Sequence, residues 1–285
     1  MNFALSAISV LVLLAGCVFF PIISISETTP TDFNFYASNG TITITNHIGS
    51  AAVVNIPDSI NGLLVTRIAP FAFFNNCDSI LVISIPRTII KLGNDSVIPF
   101  FCRNLTTIII DPNNKYYSSM NGLLFNKDKT TLIQCPMGKS GLVMIPDSVL
   151  NIRQDSFMGC SRMTNVTIPN SVTNIGYGAF AGCDSLTNVA VPDSVISMSG
   201  NLFGKCTKLV YITVGRNVKD IGWLEFSYCD NLKGIYFRGD APKISPDLFD
   251  RNSKAMIYYK IGTRGWGKEF GGRPTAVWKE PGDSK

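Results

Sequence analysis

The sequence predicts a β-rich α/β solenoid, wound from coils of about 23 residues that each carry short strands and a short helical turn. Three observations predict it. The pentapeptide Ile145-Pro146-Asp147-Ser148-Val149 recurs from Ile168, from Val191 and from Val214, each start 23 residues after the last. Cys160, Cys183, Cys206 and Cys229 keep the same period. Seven apolar columns match in all four copies; from Ile168 they run Ile168, Val172, Ile175, Phe180, Cys183, Leu186 and Val189. A fixed period of this length marks a stacked repeat, in which one coil cannot bury its apolar face alone and neighbours supply the missing interface.

Within a coil, Asn188-Val189-Ala190-Val191 alternates and reads as a strand with Val189 and Val191 inward. Pro192 ends it, because proline donates no ladder hydrogen bond. Val195 and Met198 lie on a second extended or 3₁₀ segment, and a helical turn around Phe203 returns the chain to Cys206 and Leu209.

The N-terminal element is a targeting segment. Residues 3–25 are almost wholly apolar and Glu27 is the first charge, so residues 1–26 read as a signal peptide or N-terminal anchor. Leu14-Ala15-Gly16-Cys17 fits a lipobox, with Cys17 as the lipidated residue, while Ser24-Ile25-Ser26 offers small residues for ordinary cleavage. Both remain open. Residues 27–55 form an N-terminal cap hairpin, in which Asn39-Gly40 supplies the turn between residues 33–36 and 41–45. The solenoid proper spans 56–238. Its early copies, from Ile56 and Ile85, are looser: extra residues surround Asn61-Gly62, and residues 91–105 are irregular.

The spacing Leu186-x-x-Val189-x-Val191 matches the opening of a leucine-rich repeat, and residues 168–190 (IPNSVTNIGYGAFAGCDSLTNVA) closely resemble the unit of the BspA-like branch of bacterial leucine-rich-repeat proteins. Residues 113–135 resemble the hairpin that such proteins insert between coils, placing an inserted β-hairpin at about 111–140, with turns at Asn121-Gly122 and Lys127-Asp128-Lys129. Residues 239–279, with Gly265-Trp266-Gly267 and Gly272-Arg273-Pro274, resemble a C-terminal cap found on some members, leaving 280–285 as a tail. The resemblance implies a right-handed leucine-rich-repeat superhelix. It also implies an exported surface or envelope protein with an adhesion or interaction role.

The Asn or Cys position of the usual repeat falls here on Ser59, Thr88, Ser148, Ser171, Ser194 and Asn217. These are expected to form a hydroxyl ladder that caps turn amides. The cysteine column reads as a ladder of buried thiols; stacked coils also bring the Cα atoms within disulfide range, and metal ligation is the third possibility. Arg238-Gly239-Asp240 spells an integrin-recognised tripeptide but is equally an ordinary turn. Trp266, Phe270 and Trp278 either stack on sugar rings or seal the end of the solenoid, with sealing the expected role.

Composition excludes much chemistry. The one histidine, His47, flanked by Gly49 and Ser50, reads as a surface loop residue and rules out multi-histidine metal sites and histidine-based triads. Four glutamates and turn-bound aspartates leave no carboxylate pair, and there is no phosphate-binding glycine loop. No catalytic, cofactor or metal residue is assigned, and a polysaccharide-active enzyme is the rejected alternative. Residues 251–285 hold eight basic and three acidic side chains and carry the whole formal charge of +5. Such an end suits anionic surfaces or simply keeps a cap soluble, and it is too narrow a stripe for nucleic acid.

What is left is a face. Solenoids expose the outward residues of their strands, here Asn165, Thr167, Asn188, Ala190, Tyr211, Thr213, Gly234 and Tyr236. The binding residues are expected among Asn165, Thr167, Asn188, Tyr211, Thr213 and Tyr236. The expected molecule is a secreted or cell-envelope monomer that takes a protein or polysaccharide ligand and meets membrane only through its N-terminal segment or a lipid. A passive envelope component is the alternative.

Overall fold

The computed structural model describes residues 28–74, 77–94, 102–249 and 254–279. Residues 1–26, expected to be a targeting segment, with Cys17, and the expected tail at 280–285 therefore lie outside the described residues. Among those described, no helix is long and apolar enough to cross a membrane.

The chain winds as a β-solenoid. Gly141–Met144, Met163–Thr167, Asn188–Ala190, Tyr211–Val214, Gly234–Phe237, Met256–Lys260 and Arg273–Trp278 stand side by side in chain order as one parallel ladder. Asn165 pairs with Asn188, Asn188 with Tyr211 and Tyr211 with Gly234, so the sequence period is the ladder register. The opposite wall consists of two-residue strands such as Asn174–Ile175 and Asp220–Ile221. Between the walls, all seven apolar columns of the four matched copies are buried. Phe157, Phe180, Phe203 and Phe226 pile along one axis, with ring centroids 4.7, 5.6 and 6.3 Å apart and planes within 20°.

The helical turns expected around the phenylalanine column do not form, and the α/β assignment is corrected to an all-β coil; the one 3₁₀ turn described is Pro30–Asp32. Left-handed residues explain the difference. Asp155 and Gly159, Gly178 and Gly182, Asn201 and Lys205, and Leu224 and Tyr228 bracket each phenylalanine at φ of +49° to +73°. A helix needs a run of right-handed residues, and these pairs interrupt it. The amides between them turn to the next coil instead: Phe157 N donates to Ala179 O at 2.7 Å, and Phe180 N to Leu202 O at 3.0 Å. The coil thus has a third wall of inter-coil hydrogen bonds.

Lys205 holds φ +61° where two other coils place glycine, Gly159 and Gly182. A side chain there strains the backbone by about 1–2 kcal/mol, and glycine returns part of the relief as unfolded-state entropy. Lys205→Gly is therefore expected to raise stability by about 0.5–1 kcal/mol in urea unfolding. A lowered midpoint would show that the lysine stem packs usefully against the coil.

The hydroxyl column works in the reverse sense from the expectation. Ser148 Oγ donates to Lys129 O at 3.0 Å, Ser171 Oγ to Val149 O at 2.8 Å and Asn217 Nδ2 to Asp193 O at 2.8 Å. These side chains satisfy carbonyls of the preceding coil, or for Ser148 of the inserted hairpin's turn, rather than cap turn amides, because the stacking sets each one beside a carbonyl. Thr88 Oγ1 is buried without a partner.

At the N-terminal end, Phe33–Ser38 and Thr41–His47 form a hairpin through Asn39 (φ +50°) and Gly40 (φ +72°). Asn61-Gly62 makes a second hairpin between Ser59–Ile60 and Leu63–Ile68, accounting for the extra residues of that copy. His47 is not on the surface: it is fully buried, with its ring stacked on Phe73 and tilted against Phe33, both at 5.4 Å. A bulge causes this. Asn46 faces Asn34 and Ile44 faces Phe35, so Thr45 is skipped and the inward phase set by Ile42 and Ile44 passes to His47. Neither ring nitrogen has a hydrogen-bond partner, and burial lowers the imidazole pKa, opposed by the Asp32 carboxylate.

Tyr117–Met120, Leu123–Asn126 and Thr131–Gln134 form an antiparallel meander inserted between coils. It divides the core. Leu124 and Ile133 pack with the N-terminal cluster, whereas Leu123, Phe125 and Leu132 pack with the C-terminal one. The ladder of Val53–Asn55, Val82–Ile85 and Thr107–Ile110 is accordingly a separate sheet.

Candidate functional site

Side chains of a strand alternate between faces, so every coil of the long ladder offers outward positions two residues apart. One outward column runs Asn165, Asn188, Tyr211, Gly234, Met256; beside it stand Ala190, Thr213, Tyr236, Tyr258, Ala276. Asn165, Thr167, Asn188 and Tyr211 are exposed, and Thr213 and Tyr236 are half-buried. The face is small and polar over the middle coils and aromatic towards the C-terminal end.

Tyr236 is the centre of the aromatic part. Tyr258 stacks on it at 4.6 Å with planes 8° apart, Tyr211 meets it edge-on at 5.9 Å and Trp278 edge-on at 5.2 Å. Gly234 makes room: a Cβ there would stand 3.0 Å from Tyr258 Cε2 and 3.2 Å from Tyr236 Cε2. Burial raises the Tyr236 phenol pKa, and the neighbouring Tyr258 and Tyr211 phenols raise it further, so it stays a neutral hydrogen-bonding group. Tyr258 escaped the sequence reading, and Trp278 was expected there chiefly to seal the solenoid end. Tyr258 pairs with Tyr236 and Ala276 with Tyr258, so the last coils depart from the 23-residue spacing and the column cannot be followed by counting. The three cap aromatics also part company. Trp266 and Phe270 pack on Phe237 at 4.9 and 5.7 Å and cover the core end, whereas Trp278 joins the outward strip and donates Nε1–H to Phe237 O at 3.3 Å.

The other candidate residues are structural. Cys135, Cys160, Cys183 and Cys206 are buried free thiols. Cys183 Sγ–H donates to Phe157 O at 3.2 Å, Cys206 to Phe180 O at 3.2 Å and Cys229 to Phe203 O at 3.1 Å. The thiol of Cys160 is raised well above its ordinary pKa by hydrogen bonding to Cys135 and by burial, and that of Cys183 by burial and hydrogen bonding to Cys206. A thiol held protonated is a poor nucleophile. Iodoacetamide is therefore expected to leave these positions unmodified in native protein and to label them all in 6 M guanidinium; peptide mass mapping reads the difference, and rapid native labelling would contradict the buried ladder.

In Arg238-Gly239-Asp240, Gly239 lies against the preceding coil, where a Cβ would meet Arg216 O at 2.1 Å. Asp240 Oδ1 accepts from the Arg264 amide at 2.8 Å. Two coils earlier, Asp193 does the same for Arg216, at 2.9 Å from the amide and 2.7 Å from Nε. The tripeptide thus follows the repeat's own turn chemistry.

Glu225 is the least expected residue of the interior. It is fully buried on the phenylalanine wall, and Oε2 accepts from Leu202 N at 3.3 Å. Oε1 has no partner. Burial pushes its pKa up to about 8, against the pull of the Leu202 and Gly200 amides. The acid is neutral at pH 7 and faces the core rather than the outward strip.

The model of the BspA-type leucine-rich-repeat region matches residues 34–140 and 135–256, in six copies. A sequence comparison with curated proteins finds no match. Among solved structures, the pneumococcal vaccine antigen PcpA is similar over 84% of this chain and 71% of its own, at 16% identity and a TM-score of 0.53. A leucine-rich-repeat protein from Bacteroides ovatus is similar over 82% and 70%, at 20% identity and 0.51. One from Eubacterium ventriosum is similar over 87% and 94%, at 15% identity and 0.50. These likenesses concern the fold. With the family model covering most of the chain and the coil register as described, the protein belongs to the BspA-type leucine-rich-repeat family.

Proposed function

We propose that this protein is an exported, non-enzymatic binding protein of the cell surface or surroundings, which presents the outward face of its long sheet to a protein or polysaccharide ligand. The aromatic strip carries the reading. Tyr211, Tyr236, Tyr258 and Trp278 lie on the face turned away from the core, and Tyr211 is 42% exposed. Large rings with a polar edge are the residues that dominate binding interfaces, since they bury much area at little entropic cost. Asn165, Thr167, Asn188 and Thr213 extend the same face with hydrogen-bonding side chains. The apolar segment at residues 3–25 supports export, with Cys17 lipidation or cleavage near Ser24-Ile25-Ser26 as its two routes.

A glycan and matrix-protein array probed with the mature chain tests this. Saturable binding is expected, weakened at least tenfold, about 1.4 kcal/mol, in Tyr236→Ala. Silence across the array would favour a passive envelope component, and binding untouched by Tyr236→Ala would move the ligand to another face.

A further inference from the structure

We infer that the phenylalanine wall carries a binding groove for a fatty carboxylate, an unbranched aliphatic chain ending in an anion. The groove lies on a different wall from the outward strip and stands or falls apart from the role proposed above.

The repeat's own glycines shape it. Gly159, Gly182 and Lys205 hold one position of successive coils. Each donates its amide to the next coil in the same way, to Ala181 O at 2.8 Å, Gly204 O at 2.8 Å and Ser227 O at 2.7 Å. Tyr228 follows in the fourth coil, left-handed like the others at φ +58°. Two coils therefore leave the position bare, and the next two fill it with long side chains. The result is a groove of about 360 Å³ along the stack, over Gly159 and Gly182 and against Lys205 and Tyr228. Three inter-coil steps of roughly 4.8 Å make it about 14 Å long. Met137 covers the far end, since a Cβ on Gly159 would stand 2.5 Å from its Cε. Tyr177 lines one side, and its ring meets Trp223, two coils on, at 5.6 Å. Met158, Tyr177 and Tyr228 are exposed there, so the groove presents apolar surface to solvent in one patch.

The polar groups gather at the other end. The Lys205 side chain makes no hydrogen bond or ion pair among the described residues, and no aspartate or glutamate lines the groove. Asp155, in the column beside it, already takes a hydrogen bond from the Gln154 side chain and feels the charge of Arg153. Ser227 also lines the groove; it is 3% exposed, and its hydroxyl has no partner. An unanswered cation and an unanswered buried hydroxyl thus stand next to each other at one end of an apolar channel.

That arrangement selects an occupant. Methionine thioethers and tyrosine faces adapt to a flexible aliphatic chain. An ammonium and a hydroxyl both donate to a carboxylate. A sugar would find few hydrogen-bonding partners along the apolar stretch. A cationic or uncharged chain would leave Lys205 unpaired.

The test uses the full chain with three probes, titrated calorimetrically: dodecanoate below its micellar concentration, dodecyltrimethylammonium with the same tail and the opposite charge, and acetate with the head alone. Dodecanoate is expected to bind saturably, at least tenfold more tightly than either of the others. Its affinity should fall at least fivefold in Lys205→Gln and in Lys205→Gly, fall at least threefold in Ser227→Ala, and survive in Lys205→Arg. Ala181→Trp, which fills the groove, should abolish it. Melting curves confirm that the variants fold, and if Ala181→Trp does not, Ala181→Leu takes its place. Equal binding of the cationic chain overturns the inference. So does an equal loss in Lys268→Gln, a lysine of the C-terminal cap, because a general charge effect would then explain the binding. Sedimentation that shows a dimer broken by Ala181→Trp would assign the groove to a second copy of the chain and overturn it as well. No binding of dodecanoate removes the inference and leaves the outward face as it was.

Discussion

Phe180→Ala is expected to lower the unfolding free energy by roughly 3–5 kcal/mol, the range for removing a fully buried ring from a core that cannot collapse. The ring sits in a stack, 4.7 Å from Phe157 and 5.6 Å from Phe203, and it is wholly removed from solvent. Its backbone is fixed on both sides: Phe180 N donates to Leu202 O, and Phe180 O accepts from the Cys206 thiol. The neighbouring rings are held by the same bonds in their own coils, so they cannot slide in to fill the space. A solenoid coil touches only its neighbours, so the damage falls on two interfaces at once. Urea unfolding followed by circular dichroism measures the loss. Phe180→Leu, which keeps most of the volume, should cost less than about 1.5 kcal/mol. A loss below about 1 kcal/mol for the alanine variant would mean that the column is not the mechanical axis of the coil.

A second large effect is a dependence on pH set by Glu225. Its carboxyl is pushed from 4.5 to about 8 in the folded protein. The folded state therefore holds a proton that the unfolded chain releases above pH 4.5. The stability linked to this group is fully present below that value, declines as the pH rises towards 8, and is flat beyond. The total is on the order of 5 kcal/mol at 1.36 kcal/mol per pKa unit. Glu225→Gln keeps an acceptor for Leu202 N and removes the titration. Its unfolding free energy should match the parent near pH 5 and exceed it by several kcal/mol at pH 9. Parallel curves from pH 5 to 9 would show that water or a shifted backbone solvates the charge. His47 acts in the opposite direction. Its buried imidazole has a lowered pKa, so charging it destabilises the fold as the pH falls below 6.5.

The repeat, its register and the seven inward columns were determined by the sequence alone, because identical coils in a parallel stack must place equivalent side chains one above another. The two-residue turns at Asn39-Gly40 and Asn121-Gly122 were equally local, since both residues of such a turn need positive φ and these types tolerate it. Tertiary structure decided the rest. The arches around Phe157, Phe180 and Phe203 became inter-coil hydrogen bonds rather than helical turns only because a neighbouring coil offered carbonyls to their amides. His47 went inside because a bulge reversed the phase of its strand, and Trp278 went outside because the last coils depart from the repeat spacing. Glu225 shows the limit from the other side: no pattern marks a buried acid, and its protonation follows from the solvent it loses when the coils close. Periodic packing is written in spacing, whereas the partner of an individual polar group depends on which coil lies beside it.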